Sequence, residues 1–367
     1  MTGLEEIKKK SIVEVAGALG VPLKQLSGKL YEHADHDSFK IFADTNTFKW
    51  FSRDLQGDVI RFVQVMAEVS FKEALHFLRA GDFPELDVKP RRLEPFRYYL
   101  SNQEDHRFLE ARQYLKEVRG LSDDTINTFG RQGLLAQALL PTKEGAEPVV
   151  VFKLRDHHGR VVGANLQGIV EDRSRHSRGR LKRMMKDSQG SIGFSLTLGQ
   201  PKRLIFTESA IDAMSYYECH KHELRDVRLI GMEGLKKSCV AYHILRLVSE
   251  ERGDFQFLDN DVDYNRLSHL LDLVKDTTTF FQTHEHVITL AVDNDDAGRE
   301  FVANFKEQGF PVQLDLPPLI SGQDKADWND VLVRQGKEPE LEDMIAQVKA
   351  ELPHGPVLVR SAMSLDL

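Results

Sequence analysis

The segment from Arg203 to Leu316 constrains the fold more than any other part of the chain, because short apolar runs alternate in it with helical stretches. Arg203 to Thr207, Val227 to Ile230, His286 to Val292 and Val312 to Leu316 read as strands, and Ser209 to Glu218 and Asp296 to Gln308 read as helices. Strands separated by helices imply a parallel sheet, since a parallel connection needs a crossover of a dozen or more residues. Ligands of such sheets sit at the carboxyl ends of the strands. The residues at those ends therefore decide the chemistry.

Two of the strand ends are acidic. The first strand runs into Glu208, and the helix after it carries Asp212 one turn further along on the same face. A later strand, 288–292, runs into Asp293-Asn294-Asp295-Asp296-Ala297-Gly298. Carboxylates leaving two parallel strands at one sheet edge converge and repel, so divalent cations normally hold such clusters ionised. An all-oxygen ligand set suits magnesium or manganese. The D-x-D spacing turns Asp293 and Asp295 the same way in extended backbone, and Gly298 permits close approach where the next helix starts. Each piece alone has a plain structural explanation, since D-x-D-x-A-G can cap a helix and a strand-ending Glu is ordinary. Their order on one strand-helix frame is far more specific.

Upstream, Ser11 and Glu14 have capping-box spacing ahead of the apolar face Ile12, Val15, Ala16 and Leu19, and Gly20 ends that helix. Strand-like runs follow at Ser38 to Phe42 and Thr47 to Phe51, with Asp44-Thr45-Asn46 as the turn between them. A helix from about Asp58 to Val69 comes next, and Ser70 with Glu73 repeats the capping signal. Prolines and charges from Phe83-Pro84 through Pro95 suggest a linker. The middle segment reads as a helix from Phe108 to Val118, a turn at Arg119-Gly120, and a Ser122-capped helix through Phe129. A hairpin of Val149 to Leu154 and Val161 to Leu166 follows, turning at Asp156-His157-His158-Gly159.

Composition excludes several classes. With 41% hydrophobic and 29% charged residues, the chain is globular rather than disordered. No apolar run approaches the length of a membrane span, and the start, with Glu5, Glu6 and Lys8-Lys9-Lys10, lacks a signal-peptide core, so a cytoplasmic protein is expected. Cys219 and Cys239 stand alone, without metal-ligand spacing, and are expected to be buried thiols. A net charge of -8 argues against a simple polybasic binder. Yet Arg155, Arg160, Arg173, Arg175, Arg178, Arg180, Lys182, Arg183 and Lys186 form a basic stretch within the acidic chain, which by itself reads as a solvated loop.

The run Phe206 to Ala213 and the run Ala291 to Gly298 resemble the two signature motifs of the TOPRIM domain shared by DnaG-type primases, topoisomerases and some nucleases. Asp327-Trp328-Asn329-Asp330-Val331-Leu332 is similar to the acidic motif after the last sheet strand of primases, with Asp327 and Asn329 at two positions that are usually both Asp. About 85 residues separate the two main motifs, which implies an insertion around Glu250 to Thr283. Arg119-Gly120-Leu121-Ser122, Val151 to Asp156 and Gly159 to Gly163 resemble the primase subdomain that precedes TOPRIM, where basic residues track template and nucleotide phosphates. Ser38 to Ile41, Trp50 to Ser52 and Gly57 to Phe62 resemble the primase zinc ribbon. The ligand positions read Lys29, Glu32, Trp50 and Arg53, which implies a zinc-free version, with His33 and His36 nearby. Trp50 and Phe51 are expected as core in place of the metal, with exposed stacking on single-stranded bases as the second reading.

The resemblance implies an α/β fold: a TOPRIM Rossmann-like parallel sheet flanked by helices, preceded by a primase-type α+β subdomain and a small zinc-ribbon-like α+β module. The expected units are a degenerate zinc-ribbon-like DNA-binding module at 1–84, a linker at 85–105, the subdomain with its basic stretch at 106–200, the catalytic domain at 201–352 and a tail at 353–367. A helix near Leu341 to Leu352 would be followed by little else, without the long helicase-docking C-terminus of cellular primases. The arrangement resembles small primase-like proteins of conjugative plasmids and integrative elements. The implied activity is magnesium- or manganese-dependent synthesis of short RNA primers on single-stranded DNA from nucleoside triphosphates, for replication or transfer of a mobile element, with conjugation or replication proteins as partners and no membrane. Glu208, Asp293 and Asp295 would be catalytic and hold the metal, with Asp212 and Asp327 as further ligands and Glu208 as a general base. Arg155, Arg160, Arg180, Lys182, Arg183 and Lys186 would contact nucleic acid or nucleotide. The alternatives are a TOPRIM metal-dependent nuclease and a non-catalytic single-strand-binding accessory protein of a conjugation complex.

Overall fold

The computed structural model describes residues 3–53, 55–86, 95–142, 145–176, 179–261, 266–319 and 322–336. Arg178, the centre of the expected linker, the helix near Leu341 to Leu352 and the tail at 353–367 lie outside them. The first unit holds helices α1 (Leu4–Lys8) and α2 (Ile12–Ala18), strands β1 (Leu23–Ser27), β2 (Leu30–His33), β3 (Phe39–Phe42), β4 (Thr47–Trp50) and β5 (Leu55–Gly57), then helices α3 (Val59–Met66) and α4 (Phe71–Ala80). The five strands form one antiparallel sheet in sequence order. The helix starts follow local chemistry. Ser11 Oγ accepts from Glu14 N, Asp58 Oδ1 accepts from Ile60 N and Arg61 N, and Ser70 and Glu73 make a reciprocal capping box.

Phe39, Ile41, Phe48, Trp50 and Phe62 build this unit's own core. Trp50 is buried, its ring set edge-on to Phe39 at 5.2 Å, with the Arg53 guanidinium 4.1 Å above it. Two of the four positions matching zinc ligands thus hold each other through a cation–π contact, while Glu32 is ion-paired with Lys40. Phe51 departs from its expected place in the core. Phe48 and Trp50 point inward with the two-residue period of β4, so Phe51 falls on the other phase, 45% exposed beneath Lys49. The turn before β4 is locked by Asn46. It has a positive φ of 53° and is buried, accepts from Ile12 N at 2.9 Å, and donates to Lys8 O and Lys10 O at 2.9 and 2.8 Å.

The second unit comprises α5 (Leu109–Glu117), α6 (Asp123–Arg131) and strands β6 (Leu135–Thr142), β7 (Gly145–Arg155), β8 (Val161–Gly168) and β9 (Lys182–Met184), an antiparallel sheet in that order. Sequence reading finds β7, β8 and both helices but misses β6, whose Ala-, Leu- and Gln-rich run has helix-forming composition. Pairing of the whole of β6 with β7 overrides that propensity. Part of the expected linker also belongs to this unit: Leu100 is fully buried against the sheet and Glu104 bridges to Ala138.

The third unit contains β10 (Phe194–Leu198), β11 (Arg203–Thr207), α7 (Ala210–His220), β12 (Val227–Gly231), α8 (Lys237–Arg252), α9 (Leu267–Thr277), α10 (Phe280–Thr283), β13 (Ile288–Leu290), α11 (Asp296–Glu307) and β14 (Val312–Leu314). The sheet order is β10-β12-β11-β13-β14, parallel throughout except for the antiparallel edge strand β10, which places the chain in the α/β class. Alternate residues of the buried strands serve opposite faces. Ile205 and Leu229 pack on α7, whereas Phe206, Ile230 and Leu290 pack on α8, α9 and α11. The α7 face continues without a break into the second unit, where Phe129 stacks on Phe194 at 5.6 Å. The segment expected as an insertion is helical, with α9 and α10 in the α8 core and 262–265 outside the described residues. Both cysteines are free thiols; Cys239 is buried as expected, but Cys219 is half-buried. No helix among the described residues is long and apolar enough to cross a membrane.

Replacing Asn46 by Ala should destabilise the first unit by roughly 2–4 kcal/mol, because one N–H and two carbonyls lose their partner and Ala resists positive φ. Chemical denaturation followed by Trp50 fluorescence would measure it, with Asn46→Asp, which keeps the acceptor alone, falling in between.

Candidate active site

Three chain segments meet beyond the carboxyl ends of β11 and β13. After β11, Ser209 caps α7: its Oγ accepts from Asp212 N and donates to Asp212 Oδ2 at 2.5 Å, which fixes that buried carboxylate. A Cβ on Gly231, at the end of β12, would lie 2.6 Å from Ser209 O, so the turn that presents Glu208 rests directly on neighbouring backbone. After β13, a Cβ on Gly298 would stand 2.0 Å from Asp293 O, so only glycine lets α11 begin under that residue. The third segment is anchored by Trp328 Nε1, which donates to Ala291 O at 2.9 Å, and by Asn294 N, which donates to Ala326 O. Asp327 then caps the helix at 328–336 through Asp330 N at 2.6 Å.

These segments bring Glu208, Asp212, Asp293 and Asp327 to one cavity of about 140 Å³, shared with Arg119, Asn165, Gln167, Lys182 and Glu233. Asp295 is not among the lining residues. Its Oδ1 accepts from Gly298 N at 2.8 Å and caps α11, leaving its charge to act on Asp293 from behind. The D-x-D pair is therefore split between a cleft group and a helix cap, because the chain turns into α11 between the two positions.

The electrostatics are those of crowded acids. Burial first, then the charges of Asp212, Glu208, Asp327 and Asp295, push the Asp293 carboxyl up to about 9. Burial and Asp327 raise Asp212 to about 7 against the Ser209 hydrogen bond and Lys182, and burial also raises Asp327 and Glu233. Asp293 Oδ1 is sealed from solvent with no hydrogen-bond partner among the described residues. A buried carboxylate oxygen without a donor, ringed by further carboxylates, fits a hard divalent cation better than any organic ligand. The oxygens stand more openly than in a loaded site, since among the described residues no three of these acids bring ligand oxygens within 4.8 Å of one another.

Of the basic stretch from Arg155 to Lys186, Lys182 alone among the described residues lines the cleft, paired across β8–β9 with Gln167. Arg155 is tied to Gly133 O and Gly159 O, Arg160 to Asp156, and Arg180 to Ile169 O over the Tyr114 ring. Arg183 reaches Tyr99 at 3.5 Å, and Lys186 is exposed beside Asp187. Asn329 is buried and its amide is fully used: Nδ2 donates to Arg119 O and Ser215 Oγ at 2.8 and 3.0 Å, and Oδ1 accepts from Arg119 Nη1 at 3.1 Å. An aspartate would lack both donors, which explains the neutral residue here. Sequence reading missed Arg119, Asn165, Gln167 and Glu233 as cleft residues. Glu233 could have been found, because Gly231-Met232-Glu233-Gly234 follows β12 at the same sheet edge. Glu233 accepts from Ala210 N at 3.0 Å and from Asn165 Nδ2, bracing the start of α7.

The chain is 31% identical over 351 residues to the uncharacterized protein pXO2-78 of Bacillus anthracis, an alignment covering 92% of this chain and 91% of that protein. No protein-family model matches. Among solved structures, the primase fragment of the bacteriophage T7 primase-helicase overlaps with a TM-score of 0.38 at 15% identity, covering 83% of this chain and 93% of that one. The Aquifex aeolicus primase, with its zinc-binding and RNA polymerase domains, gives 0.33 at 18% identity, covering 94% and 84%. Overlaps at this level fix neither the fold nor an activity.

The raised carboxyls set a pH signature. Asp293 titrates near 9 in the native state and near ~4 when unfolded, so native protein free of metal holds a proton that the unfolded chain gives up. The stability this contributes is complete below about pH 4 and is lost as pH rises towards 9. A cation must displace that proton, so the rise in Tm on adding magnesium should be larger at pH 9 than at pH 6.5. Thermal melts with and without EDTA test this, and equal shifts at both pH values would contradict the assignment.

Proposed function

The chain belongs to the family of that Bacillus anthracis protein, and for it we propose a metal-dependent nucleotidyl transfer, the synthesis of short RNA primers on single-stranded DNA. The observation that carries the reading is the donorless buried oxygen of Asp293, gathered with Glu208, Asp212 and Asp327 in a cleft that also presents Lys182. These acids stand in the runs that resemble the TOPRIM signatures and the third acidic motif of primases, which favours nucleoside triphosphates and a nucleic-acid strand as substrates.

Glu208, Asp212, Asp293 and Asp327 would hold magnesium or manganese, with Asp295 adding charge from its capping position. Such an ion supplies Lewis-acid polarisation of phosphate oxygens and charge neutralisation in phosphoryl transfer. Lys182 offers an ammonium to the phosphates from the opposite wall, where its charge already opposes the acids. Asn165 and Gln167 present neutral amides that hydrogen-bond ribose or base without adding charge. Glu208, at the strand end, takes the proton of the attacking 3′ hydroxyl. Arg119 is held by Asn329 and Tyr114, which aims its guanidinium along the cleft wall. The setting we propose is replication or transfer of a mobile element, as the resemblance to such primase-like proteins implies.

Incorporation of labelled nucleotides on single-stranded DNA with magnesium tests the proposal. Asp293→Asn should lower it by more than about a hundredfold while the circular-dichroism spectrum is retained. A labelled strand incubated with magnesium and no nucleotides should stay intact. Cleavage would instead indicate a nuclease, and binding with neither reaction would indicate an accessory protein.

A further inference from the structure

A second cluster lies where the helical insertion meets the β7–β8 turn. His157 and His158 come from the turn, and Asp259 comes from the helical turn Phe257–Asp261, about a hundred residues away. His157 Nε2 and His158 Nε2 approach the same oxygen, Asp259 Oδ1, at 2.8 and 2.7 Å. Among the described residues this is the one trio of His, Cys, Asp or Glu whose ligand atoms all lie within 4.8 Å of one another.

The trio is prearranged by its surroundings. The buried Asp156 carboxylate accepts from His158 N and Arg160 N at 3.0 and 2.9 Å, which fixes the turn. The His157 side chain is 3% exposed, its ring stacks on Phe255 at 5.3 Å with 6° between planes, and its Nδ1 lies 3.4 Å from the Tyr242 hydroxyl. A cavity of about 200 Å³ opens beside the trio, lined by Asp156, Arg160, Gln189 and Asn260, with room for water.

We propose that His157, His158 and Asp259 form a transition-metal site of the zinc type that pins the insertion to the β7–β8 turn. Two imidazole nitrogens and one carboxylate oxygen are a familiar three-ligand set for zinc, with the remaining position left to water. The hard ion suited to the acidic cleft prefers oxygen ligands, so donor chemistry sorts the two sites. Where His157 donates its Nδ1 proton to Tyr242, its Nε2 lone pair faces the Asp259 oxygen, and a cation is needed between them. The 2.7 and 2.8 Å separations would open to about 3.3 Å around an ion with bonds of ~2.0–2.2 Å, a small movement for side chains on two turns. Protons on both Nε2 atoms would satisfy the trio without metal, and the experiment separates the two states.

Zinc alone is titrated into the full chain with excess magnesium present, uptake is read by competition with a chromophoric chelator, and cobalt serves as a visible-absorption probe. One zinc per chain is expected beyond the magnesium background, with a cobalt spectrum of low coordination number that zinc abolishes. His158→Ala, at a side chain 44% exposed and therefore safe for folding, and Asp259→Asn should each weaken zinc binding by roughly a hundredfold, and Tyr242→Phe by about tenfold. Zinc should also slow hydrogen exchange at 156–160 and 255–260 in the parent and not in His158→Ala. The proposal fails if the parent takes up no zinc, or if His158→Ala binds it as tightly as the parent.

Discussion

Carboxylates packed together out of water raise one another's proton affinity, and the parallel sheet of this chain is arranged around that cost. Five carboxylates, of Glu208, Asp212, Glu233, Asp293 and Asp327, share one small cavity, and Oδ1 of Asp293 is shut off from both solvent and donors among the described residues. The surrounding structure makes the arrangement possible at specific points. Gly298 and Gly231 leave no side chain where backbone must press close, Ser209 holds Asp212 in place, and Trp328 ties the third segment to the end of β13. The strain of crowded acids is offset by the buried apolar strands beneath them, which bury residues on both faces.

What the sequence disclosed follows the same physics. Strand-helix alternation after Arg203 led to a parallel sheet because period and connection length are local properties, and capping signals at Ser11, Ser70 and Ser122 marked helix starts for the same reason. Less legible were features decided by distant partners. The β6 strand, helix-like in composition, is held by β7; Phe51 leaves the core by one step of strand phase; and Leu100, in a stretch read as linker, is buried by a sheet that begins some thirty-five residues later. Within the cleft, the acids at strand ends could be read from position, whereas Asp295 could not be told from a cap until α11 was seen to start there. Lys182 could not be distinguished from Arg155 or Arg180 in a continuous basic run. Strand pairing turns the lysine towards the acids, while the two arginines are spent on backbone carbonyls.

The first unit has an aromatic interior. Trp50 fills it under the Arg53 guanidinium, and Phe39, Phe48, Trp50 and Phe62 pack ring against ring. Asn46 adds a polar cross-link between the β3–β4 turn and the α1–α2 junction.

The apolar layer shared by the second and third units has a mechanical result. Phe129, Phe152, Phe194 and the buried face of α7 form one continuous body, so the wall bearing Asn165, Gln167 and Lys182 and the floor bearing the acids are joined beneath the cleft. Under the function proposed above, a ligand would meet two walls whose spacing is already set by that common interior.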